Sequence, residues 1–225
     1  MAGLNQKYTY YKMQSFSHIT STGESLDILL DSIFKKENGF FIELGANDGL
    51  TQSNTALLEF NRGWKGVLIE PSLNAYTECC KNRPASTCFN LACVSNTFEE
   101  NEIQGDFNGG MMSSVKGVRN GTNALVSVKV STLEKILDSV GATSIDFLSL
   151  DTEGYELNIL KGLNLSKYRP RYMLIEIYTK DYSDILAFLS ENNYLLLMNM
   201  TNYNKSDNPH WDGTHNDYLF VDNTF

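Results

Sequence analysis

The stretch Phe40-Phe41-Ile42-Glu43-Leu44-Gly45-Ala46-Asn47-Asp48-Gly49 constrains the rest of the chain most. An apolar run ends in a turn punctuated by glycine, and Glu43, Asn47 and Asp48 set acidic or amide groups inside it. Ahead of the run, Leu26, Leu29, Leu30 and Ile33 keep helical spacing within a predicted helix from Ser25 to Lys36. Behind it, Thr51 to Asn61 reads as another helix. A strand that ends in small residues and feeds a helix is where open α/β sheets bind anionic or nucleotide-like ligands.

The following segments extend that pattern. Gly66 to Pro71 reads as a short buried strand stopped by proline, Ser72 caps a helix to Lys81, and Ser86 to Val94 is a third strand. This β-α-β-α-β order implies parallel strands with right-handed crossovers. Between Ser95 and Gly121 the periodicity disappears, and so long a segment is expected to serve as a lid or acceptor loop. Leu125 to Val130 alternates like a strand and Thr132 to Val140 like a helix. Ile145 to Leu150 is a core strand, a helix follows to Leu163, and Tyr172 to Tyr178 is the next strand. After a helix over Tyr182 to Glu191, strands at Tyr194 to Met200 and Tyr218 to Asp222 are joined by a loop holding His210, Trp211 and His215. The expectation is a mixed α/β sheet, mostly parallel, with an antiparallel C-terminal strand pair. It forms one domain over residues 1–225, with residues 1–24 as a polar lead-in whose tyrosine-rich part, Lys7 to Lys12, packs on the surface.

Composition narrows the partners. The net charge of -9 and the lack of any Lys/Arg run argue against nucleic acid and against an anionic membrane surface. Met1 to Met13 has no apolar signal core, and no window approaches the ~20 apolar residues of a membrane span. The expected compartment is the cytoplasm. Cys79, Cys80, Cys88 and Cys93 crowd one region without C-x-x-C spacing, so they read as reduced thiols rather than a zinc site.

Two constellations carry chemistry. In the turn, Gly45 and Gly49 allow a tight bend and close approach to a ligand, while Asn47 and Asp48 bond the ligand or cap the next helix. The spacing is G-x-N-x-G, not the G-x-G-x-x-G of dinucleotide sites or a P-loop. Glu70, at the end of the second strand, is placed to accept from two ribose hydroxyls. The second constellation is Asp151, Glu153 and Glu176, near the ends of later strands. Gathered carboxylates either raise a pKa and supply a general base or share a hard divalent cation. Asp151 is equally suited to cap the following helix, and Glu156 to sit as a first-turn anion.

The chain resembles the FkbM-type methyltransferases. The resemblance rests on Phe41 to Gly49, Ile69-Glu70-Pro71, Ser113-Ser114, Val128 to Leu133, Asp146 to Glu156, Arg169-Pro170 with Glu176, and Asn216-Asp217-Tyr218-Leu219. It implies a class I, Rossmann-like fold and an S-adenosylmethionine-dependent O-methyltransferase acting on a hydroxyl of a sugar, glycan or natural product. It assigns cofactor binding to Glu43, Gly45, Asn47, Gly49 and Glu70, with Ala92 and Cys93 flanking the adenine; Asp48 joins the cofactor residues on the reading of the turn itself. Ser21-Thr22-Gly23-Glu24 stands where relatives often carry a Ser-Gln pair, a departure from the family pattern.

A sulfonium methyl is already activated, so the protein must mainly align an acceptor oxygen and deal with its proton. The expectation is a Mg²⁺ or Mn²⁺ ion held by Asp151 and Glu176, with Glu153 or His215 completing the set, polarising the hydroxyl. A variant is metal-free, with Asp151 or His215 as the base. The rival functions are an NAD-dependent oxidoreductase, against which the missing dinucleotide fingerprint counts, and a nucleoside-binding scaffold without turnover. The acidic balance argues against an RNA acceptor.

Overall fold

The computed structural model describes residues 14–108, 113–117, 119, 121, 124–206, 208–209 and 211–224. The segment Lys7 to Lys12, Gly109 to Met112 of the long loop, and His210 lie outside the described residues. In chain order the first elements are α1 (Leu26–Phe34), β1 (Phe40–Leu44), α2 (Ala56–Arg62), β2 (Lys65–Ile69), α3 (Leu73–Asn82) and β3 (Thr87–Phe89). Then come β4 (Ala92–Cys93), β5 (Glu102–Gly105), β6 (Val126–Ser131) and α4 (Leu133–Val140). The last are β7 (Ile145–Leu150), α5 (Glu156–Leu160), β8 (Pro170–Tyr178), α6 (Tyr182–Glu191), β9 (Tyr194–Asn199) and β10 (His215–Asp222).

The seven-stranded sheet runs β3-β2-β1-β7-β8-β10-β9. Neighbours from β3 to β8 pair in parallel, and β10 lies antiparallel between β8 and β9. This is the expected mixed sheet. Its strands read as near-continuous apolar runs because both faces are covered. Ile42, Val67, Leu148, Met173 and Phe220 pack on one side with α4, α5 and α6. Phe41, Leu68, Phe147, Leu174 and Leu219 pack on the other with α1 and α2. Trp64, 2% exposed, closes this second layer and donates its indole N–H to the Lys36 carbonyl at 2.9 Å.

Several expectations are corrected in detail. The strand predicted over Ser86 to Val94 breaks into β3 and β4, because Asn90 Nδ2 donates to the carbonyls of Glu70 and Pro71, each at 2.9 Å, and turns the chain. β4 then joins β5 and β6 in a separate three-stranded sheet. Part of the predicted loop is therefore strand: β5 pairs antiparallel with β6 from Glu102–Lys129 to Gly105–Val126. The helix predicted from Thr51 starts only at Ala56. Asp48 Oδ1 accepts from the amides of Leu50 and Thr51 at 2.9 and 2.7 Å, which keeps that stretch in a turn. His215 is the first residue of β10, opposite Tyr178, rather than a loop residue. Among the described residues no helix is long and apolar enough to cross a membrane.

Candidate active site

The site forms where β1, β2, β7 and β8 end. From Gly45 the chain bends across the end of β2, with the amides of Gly45 and Ala46 donating to the Ile69 carbonyl at 3.1 and 3.2 Å. Gly45 has φ +76, and a Cβ there would sit 1.9 Å from the Asp151 carbonyl oxygen. Only glycine fits this position, which brings the turn against the residue that ends β7. Asn47, also at positive φ (48), donates its amide to Glu70 Oε2 at 2.9 Å. Glu70 Oε1 accepts from the Ser72 amide at 2.8 Å. The carboxyl is thus fixed by backbone on both oxygens and is 7% exposed. Burial pushes its pKa up, and the two amides oppose that. An ionised carboxylate has about four acceptor positions, so two remain for further donors.

Beneath the turn lies a buried ionic network absent from the sequence reading. Arg83 is fully buried and donates to Glu59 Oε2 at 2.9 Å, Gly49 O at 2.9 Å, Ser53 Oγ at 3.2 Å and Thr55 Oγ1 at 3.0 Å. Its other close charge is Glu43 Oε2 at 3.8 Å. Glu43 accepts from Ser53 Oγ, the Asn54 amide and Thr55 Oγ1 at 2.9, 2.8 and 2.6 Å.

A cavity of ≈ 230 Å³ opens above the turn. Of the predicted cofactor residues it is lined by Gly45, Asn47, Glu70, Ala92 and Cys93; of the predicted catalytic residues it is lined by Asp151, Glu153, Glu176 and His215. Glu43, Asp48 and Gly49 are not in its wall. Glu43 and Gly49 are engaged by the Arg83 network, and Asp48 spends its carboxylate on Leu50 and Thr51. Ile69, Leu91 and Ile159 add apolar wall beside Ala92 and Cys93. Burial pushes the Cys93 thiol up, so it presents a neutral surface.

The carboxyl groups stand in a row across the sheet edge. Leu150 of β7 is in register with Ile175 of β8, which puts Asp151 beside Glu176, and Glu176 is in register with Asp217 of β10. Burial, then the charges of Glu153, Asp217 and Glu156, holds Asp151 well above the usual carboxylate range. Burial, then Asp151, does the same for Glu176, whose Oε2 is buried and takes no hydrogen bond among the described residues. Burial pushes Asp217 up to about 6.

His215 Nε2 lies 3.2 Å from Glu176 Oε1. Its Nδ1 is 2.9 Å from Thr214 Oγ1, which itself lies 2.5 Å from Asp212 Oδ1. Burial raises Asp212, but hydrogen bonds from Thr214 and Arg119 outweigh it and hold the group at about 2. Asp212 is therefore an acceptor, Thr214 donates to it, and His215 Nδ1–H donates to Thr214. Burial keeps the imidazole neutral by pushing it below its ordinary value, so Nε2 is bare. Glu176 also hydrogen-bonds Asp151, which opposes the rise that burial imposes on Asp151.

Other neighbours place the remaining residues. Asp151 does not cap α5, whose N-cap is Tyr155. Glu156 is more than a first-turn anion: its Oε1 accepts from the Thr152 amide and hydroxyl and the Gly154 amide at 2.9, 3.0 and 3.1 Å, clipping the 151–156 turn shut. Glu153 accepts from Tyr178 OH at 2.5 Å and pairs with Arg119 Nε at 3.3 Å. Arg119 also bonds Asp212 at 2.5 Å, so it ties both loops over the cavity rim. His18, from the lead-in, lines the cavity too. Among the described residues no three His, Cys, Asp or Glu side chains converge as a metal site requires, so the expected Mg²⁺ or Mn²⁺ site at Asp151 and Glu176 gains no support.

Val115, Glu153 and Tyr155 are shared with a neighbouring groove of ≈ 770 Å³ lined by Phe98, Glu100, Glu102, Gln104, Ser127, Lys116 and Lys180. It continues the cavity along the small sheet.

Comparison with known proteins fits this geometry. The family model described as the methyltransferase FkbM domain matches residues 43–196. No curated protein matches the chain. Among solved structures, M. capricolum TrmK in complex with S-adenosyl-homocysteine superposes with a TM-score of 0.51 at 12% identity, over 88% of this chain and 69% of that one. Aeropyrum pernix fibrillarin with natively bound S-adenosyl-L-methionine gives 0.48 at 12% identity, over 83% and 67%. A TehB-like S-adenosylmethionine-dependent methyltransferase from Corynebacterium glutamicum gives 0.45 at 11%, over 91% and 89%. At such identity the likeness to TrmK speaks for the fold alone, the class I methyltransferase sheet.

Proposed function

This chain belongs to the FkbM methyltransferase family, and on that premise we propose that it is an O-methyltransferase for a hydroxyl of a sugar, glycan or natural product, working without a metal. The observation that carries this reading is the placement of Asp151, a buried carboxyl of raised basicity, in the same cavity as Gly45, Asn47 and Glu70.

When bound, S-adenosylmethionine supplies a methyl group already activated toward an oxygen nucleophile. The residues present fit it. Glu70 would offer its two free acceptor positions to the ribose hydroxyls, Gly45 and Asn47 would border the amino-acid end, and Ala92 with Cys93 would flank the adenine. Asp151 accepts a hydrogen bond from the acceptor hydroxyl and takes its proton as the oxygen attacks. The hydrogen bond from Glu176 favours the ionised form of Asp151, against the burial that raises it. Glu153 and Arg119 close the rim.

The groove beyond Tyr155 suits a neutral polyhydroxyl acceptor: aromatic Phe98 and Tyr155 beside the polar Gln104 and Ser127. Glu100, Glu102 and Glu153 against Lys116 and Lys180 make the groove a poor match for phosphates. We read the chain as one methyltransferase domain acting in the cytoplasm, a compartment in keeping with its four free cysteines.

Calorimetry tests the cofactor half. S-adenosylhomocysteine should bind the wild type and NAD should not. Glu70→Ala should weaken that binding by ~10²-fold, the loss of two hydrogen bonds to a charged group. Undiminished affinity in the variant would remove Glu70 from the site.

A second expectation concerns stability. Asp217 titrates at about 6 in the folded chain and at ~3.9 unfolded. Between those values the folded state binds more protons, so this group's stabilising contribution is full below pH ~4 and lost as pH rises through about 6. Asp217→Asn should therefore raise stability at pH 8 by ~3 kcal/mol and leave it nearly unchanged at pH 4, measured by urea unfolding. Equal effects at both pH values would contradict the assignment.

A further inference from the structure

The thiols left over by the proposed reaction lie next to the cofactor turn. Cys79, near the end of α3, and Cys88, in β3, have their sulfurs 3.9 Å apart. Cys79 is 1% exposed, whereas Cys88 is partly exposed. We propose that Cys79 and Cys88 form a reversible disulfide when the protein meets a hydroperoxide, and that this bond loosens the cofactor turn. The second half rests on the cofactor reading given above.

The pair is chemically asymmetric. The hydrogen bond between the two sulfurs, with a further one from Cys80 and a smaller contribution from the Arg83 charge, lowers the Cys88 thiol to about 7 against the effect of burial. Cys79 is pushed in the opposite direction by the same hydrogen bond and by burial. Cys88 is thus the thiolate and Cys79 the buried donor. The groups facing them are Arg83, Glu59, Glu43, Tyr76 and Cys80. In the first step Cys88 S⁻ attacks the peroxide, the O–O bond breaks, and a sulfenic acid and an alkoxide or hydroxide result, the latter taking up the proton that Cys88 released on ionising. In the second, Cys79 sulfur attacks the sulfenic sulfur, and its proton leaves with the hydroxyl as water. Two thiols are oxidised and one peroxide is reduced.

Closing the bond requires the sulfurs to approach by roughly 2 Å, to the ~2.05 Å of a disulfide. The last turn of α3 is strapped to the glycine turn. Asn82 Nδ2 donates to Asp48 O at 2.8 Å and Arg83 to Gly49 O at 2.9 Å. A Cβ at Gly49 would lie 3.1 Å from Cys79 Sγ, so the sulfur packs directly against the turn. Movement of Cys79 is therefore delivered to residues 48 and 49, one and two positions from Asn47 and its bond to Glu70.

The test uses the full chain treated with hydrogen peroxide. Peptide mass spectrometry should find Cys79 linked to Cys88 with the loss of two hydrogens, reversed by dithiothreitol. Affinity for S-adenosylhomocysteine should fall at least tenfold on oxidation and return on reduction. Cys80→Ser should keep both effects, and Cys88→Ser should lose both. Hydrogen exchange at the amides of residues 47–53 should quicken on oxidation, which reads the movement without a ligand. Absence of the Cys79–Cys88 link, or a link that leaves the exchange unchanged, overturns the proposal. If the reduced chain fails to bind S-adenosylhomocysteine, the cofactor reading falls, and the thiol proposal is still decided by the link and the exchange.

Discussion

Asp151→Asn should lower kcat by ~10²–10⁴-fold, the span typical of a lost general base, while binding of S-adenosylhomocysteine stays within about threefold of wild type. The amide keeps the shape of the carboxyl and removes its ability to take a proton, so chemistry and cofactor binding separate. A base works only when deprotonated. Because burial and neighbouring carboxylates hold Asp151 above the usual range, wild-type kcat/KM should be high at alkaline pH and fall as pH drops, with its acid limb above the ordinary carboxylate region. The variant should lose that limb. Glu176→Gln should act differently: the amide can still donate to Asp151, so the loss in kcat should be smaller than at Asp151. A tenfold or smaller drop in Asp151→Asn, or an equal loss of cofactor affinity, would assign Asp151 to structure.

The second large effect lies under the site. Arg83→Met should destabilise the chain by ~3–5 kcal/mol, because removing one partner of a buried ion pair leaves the others uncompensated. Those left are Glu59, 2.8 Å from the guanidinium, and Glu43 at 3.8 Å. For a chain of this size that is a fall in Tm of roughly 10 °C. Adding Glu59→Gln to Arg83→Met should recover part of the loss, since the amide has no charge to leave buried. A loss under ~1 kcal/mol in Arg83→Met would mean that the network is ornamental.

Much of the fold was legible because it was local. The apolar run of β7 stops at Asp151 in both sequence and structure, and Glu70 follows β2 as a strand-end acid. Spacing found them because a strand end is a property of consecutive residues. Arg83 was not found, since its partners Glu59, Gly49 and Thr55 are 24 to 34 positions away along the chain. Glu43 was placed with the cofactor because it belongs to the motif, but alternation in β1 aims it beneath the turn, where Thr55 and Ser53 donate to it. His215 was read as a loop residue because β10 begins with polar His215, Asn216 and Asp217. Those polar residues are in the strand to meet Tyr178 and Glu176, a reason visible only across the sheet. β5 was hidden for the same cause: Glu102 and Gln104 face out, leaving Ile103 as its one buried large apolar residue.

The opening turn therefore holds its place through Arg83 and Glu70, and the carboxyl row beside it supplies the basicity. The most direct measurement is transfer of an isotopically labelled methyl group from S-adenosylmethionine to a panel of neutral mono- and oligosaccharides, small hydroxylated natural products and an RNA pool, each with and without EDTA. The account predicts label in an O-methyl ether on a carbohydrate or natural-product acceptor, at a rate unchanged by EDTA. Label appearing only in RNA, or transfer abolished by the chelator and restored by Mg²⁺ or Mn²⁺, would contradict it.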